Sequence, residues 1–250
     1  MPSVVTQFGP VVNDVSGMGD THELLGGEGR CQWKQLINGM HLNGPWNCVE
    51  YVVIPPTASC GEHTHLRTEE IYYILRGAAT MELNGESVEL SAGDLVTAPI
   101  GTSHGTVNHT GTDMEFFVVE VFPGAGAPPL PVQINVAGQT PTHNLLAGAA
   151  EGDEAVTRSV ALESLFTGPW RTFTTIELPP GGRLEAPLVE DGDEVLFVAR
   201  GSARIEFGSS VVEGARGLCV GVPPGSPRAI ANSSASEPLE VICIVVGLER

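Results

Sequence analysis

The stretch Gly61-Glu62-His63-Thr64-His65-Leu66-Arg67-Thr68-Glu69-Glu70-Ile71-Tyr72-Tyr73-Ile74-Leu75-Arg76-Gly77 carries a chemical signal and a fold signal together. Residues two apart on a strand face the same side, so His63 and His65 present two imidazoles on one face. Glu70 lies beyond a short turn and opens the apolar run Ile71–Leu75, so its carboxylate can return to that face. Tyr72 shares the parity of Glu70 and either contacts a substrate or fills the core. Downstream, Gly93-Asp94-Leu95-Val96-Thr97-Ala98-Pro99-Ile100-Gly101-Thr102-Ser103-His104 brings a third imidazole into another strand just after a Pro/Gly turn. Three imidazoles and one carboxylate form a mixed N/O donor set that suits Fe(II), Mn(II), Ni(II), Cu(II), Co(II) or Zn(II). On an octahedral metal such a set leaves two positions for substrate, water or O₂. His63, His65, Glu70 and His104 are thus the candidate metal ligands, and Glu70 and Tyr72 the candidate catalytic residues.

The rest of the chain fits a β protein around that stretch. Its 250 residues include 31 glycines and 19 prolines. These punctuate short runs rich in Val, Ile, Tyr and Phe, such as Glu115–Phe122 and Glu240–Val246, with little helical periodicity. The formal net charge is -18, and Lys34 is the single lysine, so clustered cations for nucleic acid or an anionic membrane are lacking. Cys31, Cys48, Cys60, Cys219 and Cys243 show no regular spacing, which argues against a disulfide framework or a zinc ribbon. Met1–Pro10 has neither a basic nor an apolar targeting region, so a cytoplasmic protein is expected.

The chain also repeats itself. Gly44-Pro45-Trp46 falls on Gly168-Pro169-Trp170 at a shift of 124, and in the same register Glu70 falls on Glu194, Gly77 on Gly201, Gly93 on Gly217, Pro99 on Pro223 and Asn108 on Asn232. The matched residues are mostly those that set turns. The expected organisation is a leader at 1–43 packing on the barrels, a first β-barrel at 44–122, a Gly/Ala/Pro-rich linker at 123–155 and a second barrel at 156–250. At that shift His63 becomes Pro187, His65 becomes Val189 and His104 becomes Arg228. None of the three replacements can coordinate. The second copy is therefore expected to lack a metal, with Arg228 paired to Glu194 in its place.

These residues resemble the cupin superfamily, whose motifs are G-x5-HxH-x3,4-E-x6-G and G-x5-PxG-x2-H-x3-N. The second is met at Gly93, Pro99, Gly101, His104 and Asn108, and the first at His63, His65, Glu70 and Gly77. One position departs: Thr57 stands where the first motif begins with glycine. The resemblance implies an all-β bicupin of two tandem jelly-roll-like barrels, with the family's ligands at His63, His65, Glu70 and His104. It also implies one divalent transition metal per chain, Fe(II) favoured, with Mn, Ni, Zn, Co or Cu as alternatives. The leading expectation is a dioxygenase-like oxidoreductase acting on a small molecule. A redox-neutral isomerase, decarboxylase or lyase, or aminohydrolase is the alternative, and a non-catalytic binding cupin a third. Neither nucleic acid nor membrane is an expected partner, and a homodimer through sheet edges is compatible with the family. Gly101-Thr102-Ser103-His104-Gly105 also fits a nucleophile elbow, but that motif requires a strand-to-helix turn, whereas a strand follows here.

Overall fold

The computed structural model describes residues 10–146, 154–208 and 210–249. The start of the leader (1–9) and the middle of the linker (147–153) lie outside the described residues. The described strands form two seven-stranded and two four-stranded sheets. One seven-stranded sheet runs in the order 133–135, 94–98, 69–76, 114–121, 46–54, 30–38, 19–22, and curls over the four-stranded sheet 59–64, 103–107, 78–83, 86–91. The second half repeats this order with 11–13, 219–222, 192–200, 239–247, 170–178, 154–161, 142–145 over 183–186, 228–232, 202–207, 210–215. The two apolar faces of each half enclose a core. In the first it is built from residues such as Val52, Ile74, Met81 and Phe116, and in the second from Leu196, Ile205, Val220 and Ile230.

Strand pairing redraws the segments at 1–43 and 123–155. Arg30–Asn38 pairs with Trp46–Ile54 inside the first sheet, and Glu154–Ala161 pairs with Trp170–Leu178 inside the second. These segments are integral strands of the barrels as well as connections. Each half also lends a strand to the other. Val11–Asn13 precedes the first barrel but pairs with Cys219–Val222 of the second, and Gln133–Asn135 precedes the second barrel but pairs with Asp94–Ala98 of the first. The exchange covers the outer sides of 219–222 and 94–98 and leaves strands of only three residues at those edges, which offer little for another strand to pair with.

A third core joins the halves. Odd-numbered residues of Trp46–Ile54 and Glu69–Arg76 point away from the first barrel, and Tyr51, Tyr73 and Phe117 meet Phe173 and Phe197 of the second. The ring centroids of Phe117 and Phe197 are 4.6 Å apart, and those of Tyr73 and Phe173 are 4.8 Å apart. All five rings are buried, each contributing roughly 2–3 kcal/mol by leaving water.

Around this core the repeated Gly-Pro-Trp loops are held reciprocally. Glu69 of the first barrel accepts from Thr167 N (2.8 Å), Gly168 N (2.8 Å) and the Trp170 indole (3.2 Å). Asp193, its counterpart, accepts from Asn43 N (2.7 Å), Asn43 Nδ2 (2.8 Å) and Gly44 N. Both carboxylates have no exposed surface. Asp193 is one methylene shorter than Glu69, and Trp46 Nε1 has no partner among the described residues, whereas Trp170 Nε1 is bonded.

The turn residues of the repeat have matching physical reasons. Gly77 and Gly201 sit at φ 80° and 82°, and a Cβ would lie 2.5 Å from Asp113 O and 2.6 Å from Pro238 O respectively. Asn108 pins its hairpin by donating to Ile54 O (2.7 Å) and Thr112 O (2.8 Å), as Asn232 does with Leu178 O (3.2 Å) and Glu237 O (2.8 Å). Thr57, where the motif wants glycine, has φ 67°. A β-branched residue in that left-handed region is strained by about 1–2 kcal/mol. Thr57→Gly should therefore raise stability by about 0.5–1 kcal/mol after glycine's extra unfolded-state entropy is subtracted, which urea denaturation will measure.

Candidate metal centre

The three histidines reach one point from two strands. His63 and His65 lie on or just after Ser59–Thr64, and His104 lies on Ser103–Val107, which pairs with it so that His104 faces His63 directly. Glu70 and Tyr72 come from Glu69–Arg76 in the opposing sheet. The ligand-capable nitrogens of His63, His65 and His104 lie within 4.8 Å of one another. Nε2 of His63 and His65 are 3.0 Å apart. Oε2 of Glu70 lies 3.2 Å from His104 Nε2 and 3.6 Å from His65 Nε2. The four groups singled out from the sequence are therefore brought together, and Tyr72 joins them. Its hydroxyl donates to Glu70 Oε2 at 2.6 Å and lies 2.7 Å from His104 Nε2.

What suits the set to a cation is the far side of each ring. Nδ1 of His63 is 2.9 Å from Gly61 O, Nδ1 of His65 is 2.9 Å from Thr68 Oγ1, and Nδ1 of His104 is 3.2 Å from Thr102 O. Oxygen acceptors on the Nδ1 side favour the Nδ1–H tautomer and turn the Nε2 lone pairs inward. Thr68 is itself fixed by donating to Glu120 Oε2 at 3.0 Å, and Asn47 Nδ2 donates to the same oxygen at 2.7 Å. Replacing Glu120 by Gln should loosen this support and weaken metal affinity about 10- to 100-fold above about pH 9, where no proton on His65 competes, as read by competition with a chelating dye.

Electrostatics separate the histidines. Burial lowers His63, which favours its neutral, ligating form. Burial also opposes charge on His65, but the adjoining Glu120 carboxylate, with Glu70 and Glu50 beyond it, raises it to about 9. The metal-free ring is thus protonated at neutral pH, and a metal must displace that proton. Loading at pH 7 should release about one proton to a weakly buffered indicator, and affinity should fall about tenfold per pH unit below 9.

The site opens into a cavity of about 420 Å³. Its apolar wall includes Trp33, Val52, Phe116 and Val118. Leu24 and Leu25 line it as well, from the short 3-10 turn Leu24–Gly26. Cys60 is on Ser59–Thr64 and lines this cavity, where burial raises it to about 12. Two more lining groups were not singled out from the sequence: Glu50 on Trp46–Ile54 and Glu120 on Met114–Val121. Burial raises Glu50 to about 7 against the hydrogen bond of the Trp33 indole. Both are polar residues interrupting apolar strands, which is the one sequence signal they offered. Ser103 sits on a strand and donates to Glu62 at 2.7 Å, so it has no elbow geometry.

In the second barrel the same positions hold Pro187, Val189, Glu194 and Arg228. Arg228 donates to Glu194, as expected from the sequence, and to Pro187 O at 2.7 Å.

The sequence profile of the cupin domain matches twice, over residues 50–120 and 174–245. The chain belongs to the cupin family. It is a bicupin, and the two matches coincide with the two barrels just described. This cupin is 34% identical over 96 residues to the oxalate-binding protein of Thermotoga maritima, covering 38% of this chain and 79% of that protein. Among solved structures, a variant of Bacillus subtilis oxalate decarboxylase superposes with TM-score 0.74 at 14% identity, covering 99% of this chain and 79% of that one. Vicilin from hazelnut (Corylus avellana) superposes with TM-score 0.68 at 14% identity, over 94% and 85% of the two chains. Both likenesses concern the fold. No helix among the described residues of this cupin is long and apolar enough to cross a membrane.

Proposed function

We propose that the first barrel, comprising 44–122 with its preceding strands, is a metal-dependent enzyme acting without net redox change on a small carboxylate. Decarboxylation is the reaction class favoured. His63, His65, Glu70 and His104 would hold one divalent transition metal. The observation that carries this reading is the conjunction of that donor set with the 34% identity to an oxalate-binding protein over 79% of its length. A bound metal supplies a Lewis acid that anchors a carboxylate and polarises it. The apolar wall of Trp33, Val52, Phe116 and Val118 excludes bulk water from the substrate. Tyr72 donates its one hydroxyl proton to Glu70 and so fixes that carboxylate at the edge of the site. Glu50, at about 7, retains a proton near neutrality in the same cavity, and can return it to the carbon left when CO₂ departs.

The dioxygenase reading and its preference for Fe(II) have no specific support among these relatives, and the redox-neutral alternative is the better fit. Mn(II) is the first metal to try, since B. subtilis oxalate decarboxylase, which shares the fold, is described with Mn(II) centres. The test uses protein purified without a histidine tag and loaded separately with Mn(II), Fe(II), Co(II), Ni(II) and Zn(II). Each form is given oxalate, malonate or glycolate. Release of CO₂ without stoichiometric O₂ uptake supports decarboxylation. O₂ consumed in proportion to substrate restores the oxygenase. Saturable oxalate binding without turnover makes the protein a binder.

A further inference from the structure

The second barrel has its own cavity of about 350 Å³. Strand register shows how it corresponds to the metal cavity. Thr157 pairs with Ile176 as Trp33 pairs with Val52, and Thr172 pairs with Val245 as Cys48 pairs with Glu120. Counting along the same strands sets Thr174 in the place of Glu50. The inward-facing side of the second barrel has therefore exchanged an indole, a thiol and two carboxylates for three threonine hydroxyls and a valine. Ser159 adds a further hydroxyl, 2.9 Å from Thr174 Oγ1.

The floor of the cavity has changed in the same sense. Arg228 and Glu194, 6% and 2% exposed, replace a set built for a cation. A guanidinium offers five N–H donors. Those of Arg228 reach Pro187 O, Glu194 and, at 3.9 Å, Cys243 Sγ, while its Nε has no partner among the described residues. That Nε is itself buried, but the contacts made by the two terminal nitrogens leave a terminal N–H over on a residue that lines the cavity. The ion pair is formally neutral, and the remaining charged lining residue, Glu185, is exposed and paired with Arg183. A carboxylate entering here would leave one uncompensated charge in a partly desolvated site, which weakens its binding. An uncharged molecule bearing several hydroxyls meets no such cost. It can accept from Arg228, donate to Glu194 and exchange hydrogen bonds with the threonines and Ser159. The cavity volume sits at the low end of small-molecule pockets.

We infer that the second barrel is a metal-independent binding site for a small, uncharged, polyhydroxylated molecule of sugar-alcohol size. Arg228 and Glu194 hold one end, and Thr157, Ser159, Thr172 and Thr174 line the wall. The site does not depend on the chemistry assigned to the first barrel.

The matched probes are sorbitol and gluconate, which share six carbons and differ by a carboxylate. Each is titrated to ~100 mM into the full chain with labelled isoleucine and valine methyls, with and without Mn(II). Sorbitol should shift the methyls of Ile176, Val189 and Val245 saturably, equally in both metal states, and leave Val52 and Val118 unmoved. Gluconate should bind about tenfold more weakly or not at all. Thr174→Val, close to isosteric, should weaken sorbitol about fivefold or more through one lost hydrogen bond. Arg228→Met should weaken it further; if that variant misfolds, Thr174→Val carries the test. The inference is overturned by absence of saturable shifts with sorbitol, by shifts confined to Val52 and Val118, by gluconate binding as tightly as sorbitol, or by an unchanged affinity in Thr174→Val.

Discussion

Alanine at His104 is expected to reduce the metal content of the tag-free protein from about one ion per chain to less than about a tenth of that. The affinity loss should exceed 100-fold, more than the loss of a supporting residue produces. His104 is the most deeply buried of the three histidines, at 2% exposed, and it alone comes from a different strand of the four-stranded sheet. Its removal opens the ring of donors on the side where Glu70 Oε2 lies 3.2 Å away. Glu70 then faces only His63 and His65 at the end of one strand, and nothing rebuilds the missing donor. His63→Ala and Glu70→Gln should act in the same direction. Thr174→Val in the second barrel should leave the metal content unchanged. Elemental analysis after dialysis is sufficient, and a His104→Ala protein that keeps stoichiometric metal would exclude this ligand set.

The second large effect falls on stability, far from any substrate. Glu69→Ala and Asp193→Ala should each cost about 3–5 kcal/mol in urea or thermal unfolding. Each substitution removes a buried acceptor that serves several donors at once, among them Gly168 N and the Trp170 indole for Glu69, and Asn43 N and Gly44 N for Asp193. The loops that carry those donors run into Trp46 and Trp170 of the core shared by the two halves. Because each carboxylate belongs to one barrel and its donors to the other, the loss is one of docking, and the unfolding transition of the variants should broaden or split. Glu69→Gln keeps one oxygen acceptor and should lose roughly half as much. A variant that unfolds like the parent would show that the loops hold without these anchors.

How far the sequence could be read differed from feature to feature. The ligands were legible because strand parity makes His63 and His65 neighbours, and because His104 follows a turn whose glycine and proline leave little freedom. Arg228 and Glu194 were legible as a pair for the same reason, since the repeat register placed them opposite one another. Tyr72 was visible as an inward residue, but its contact with both Glu70 and His104 depends on how the two sheets curl together. Glu50 and Glu120 were missed: a glutamate within an apolar strand looks the same from the sequence whether it faces solvent or a cavity. The strands at 19–38 and 142–161 were missed as repeats because they carry no glycine or proline frame in common. Their equivalence lies in backbone pairing, which many side chains satisfy.

By itself, then, the sequence determined the local geometry. It set the all-β character, the two-fold use of one unit, the turn residues, the four candidate ligands of the first barrel and their absence from the second. All of these depend on side-chain alternation and backbone sterics within a few residues. The tertiary structure alone decided what meets across long separations. It set the reciprocal exchange of Val11–Asn13 and Gln133–Asn135, the anchoring of each Gly-Pro-Trp loop by the other barrel's acid, and the burial that raises Glu50 to about 7. Such contacts depend on how whole sheets pack and on how much water that packing expels, and no stretch of chain specifies either locally.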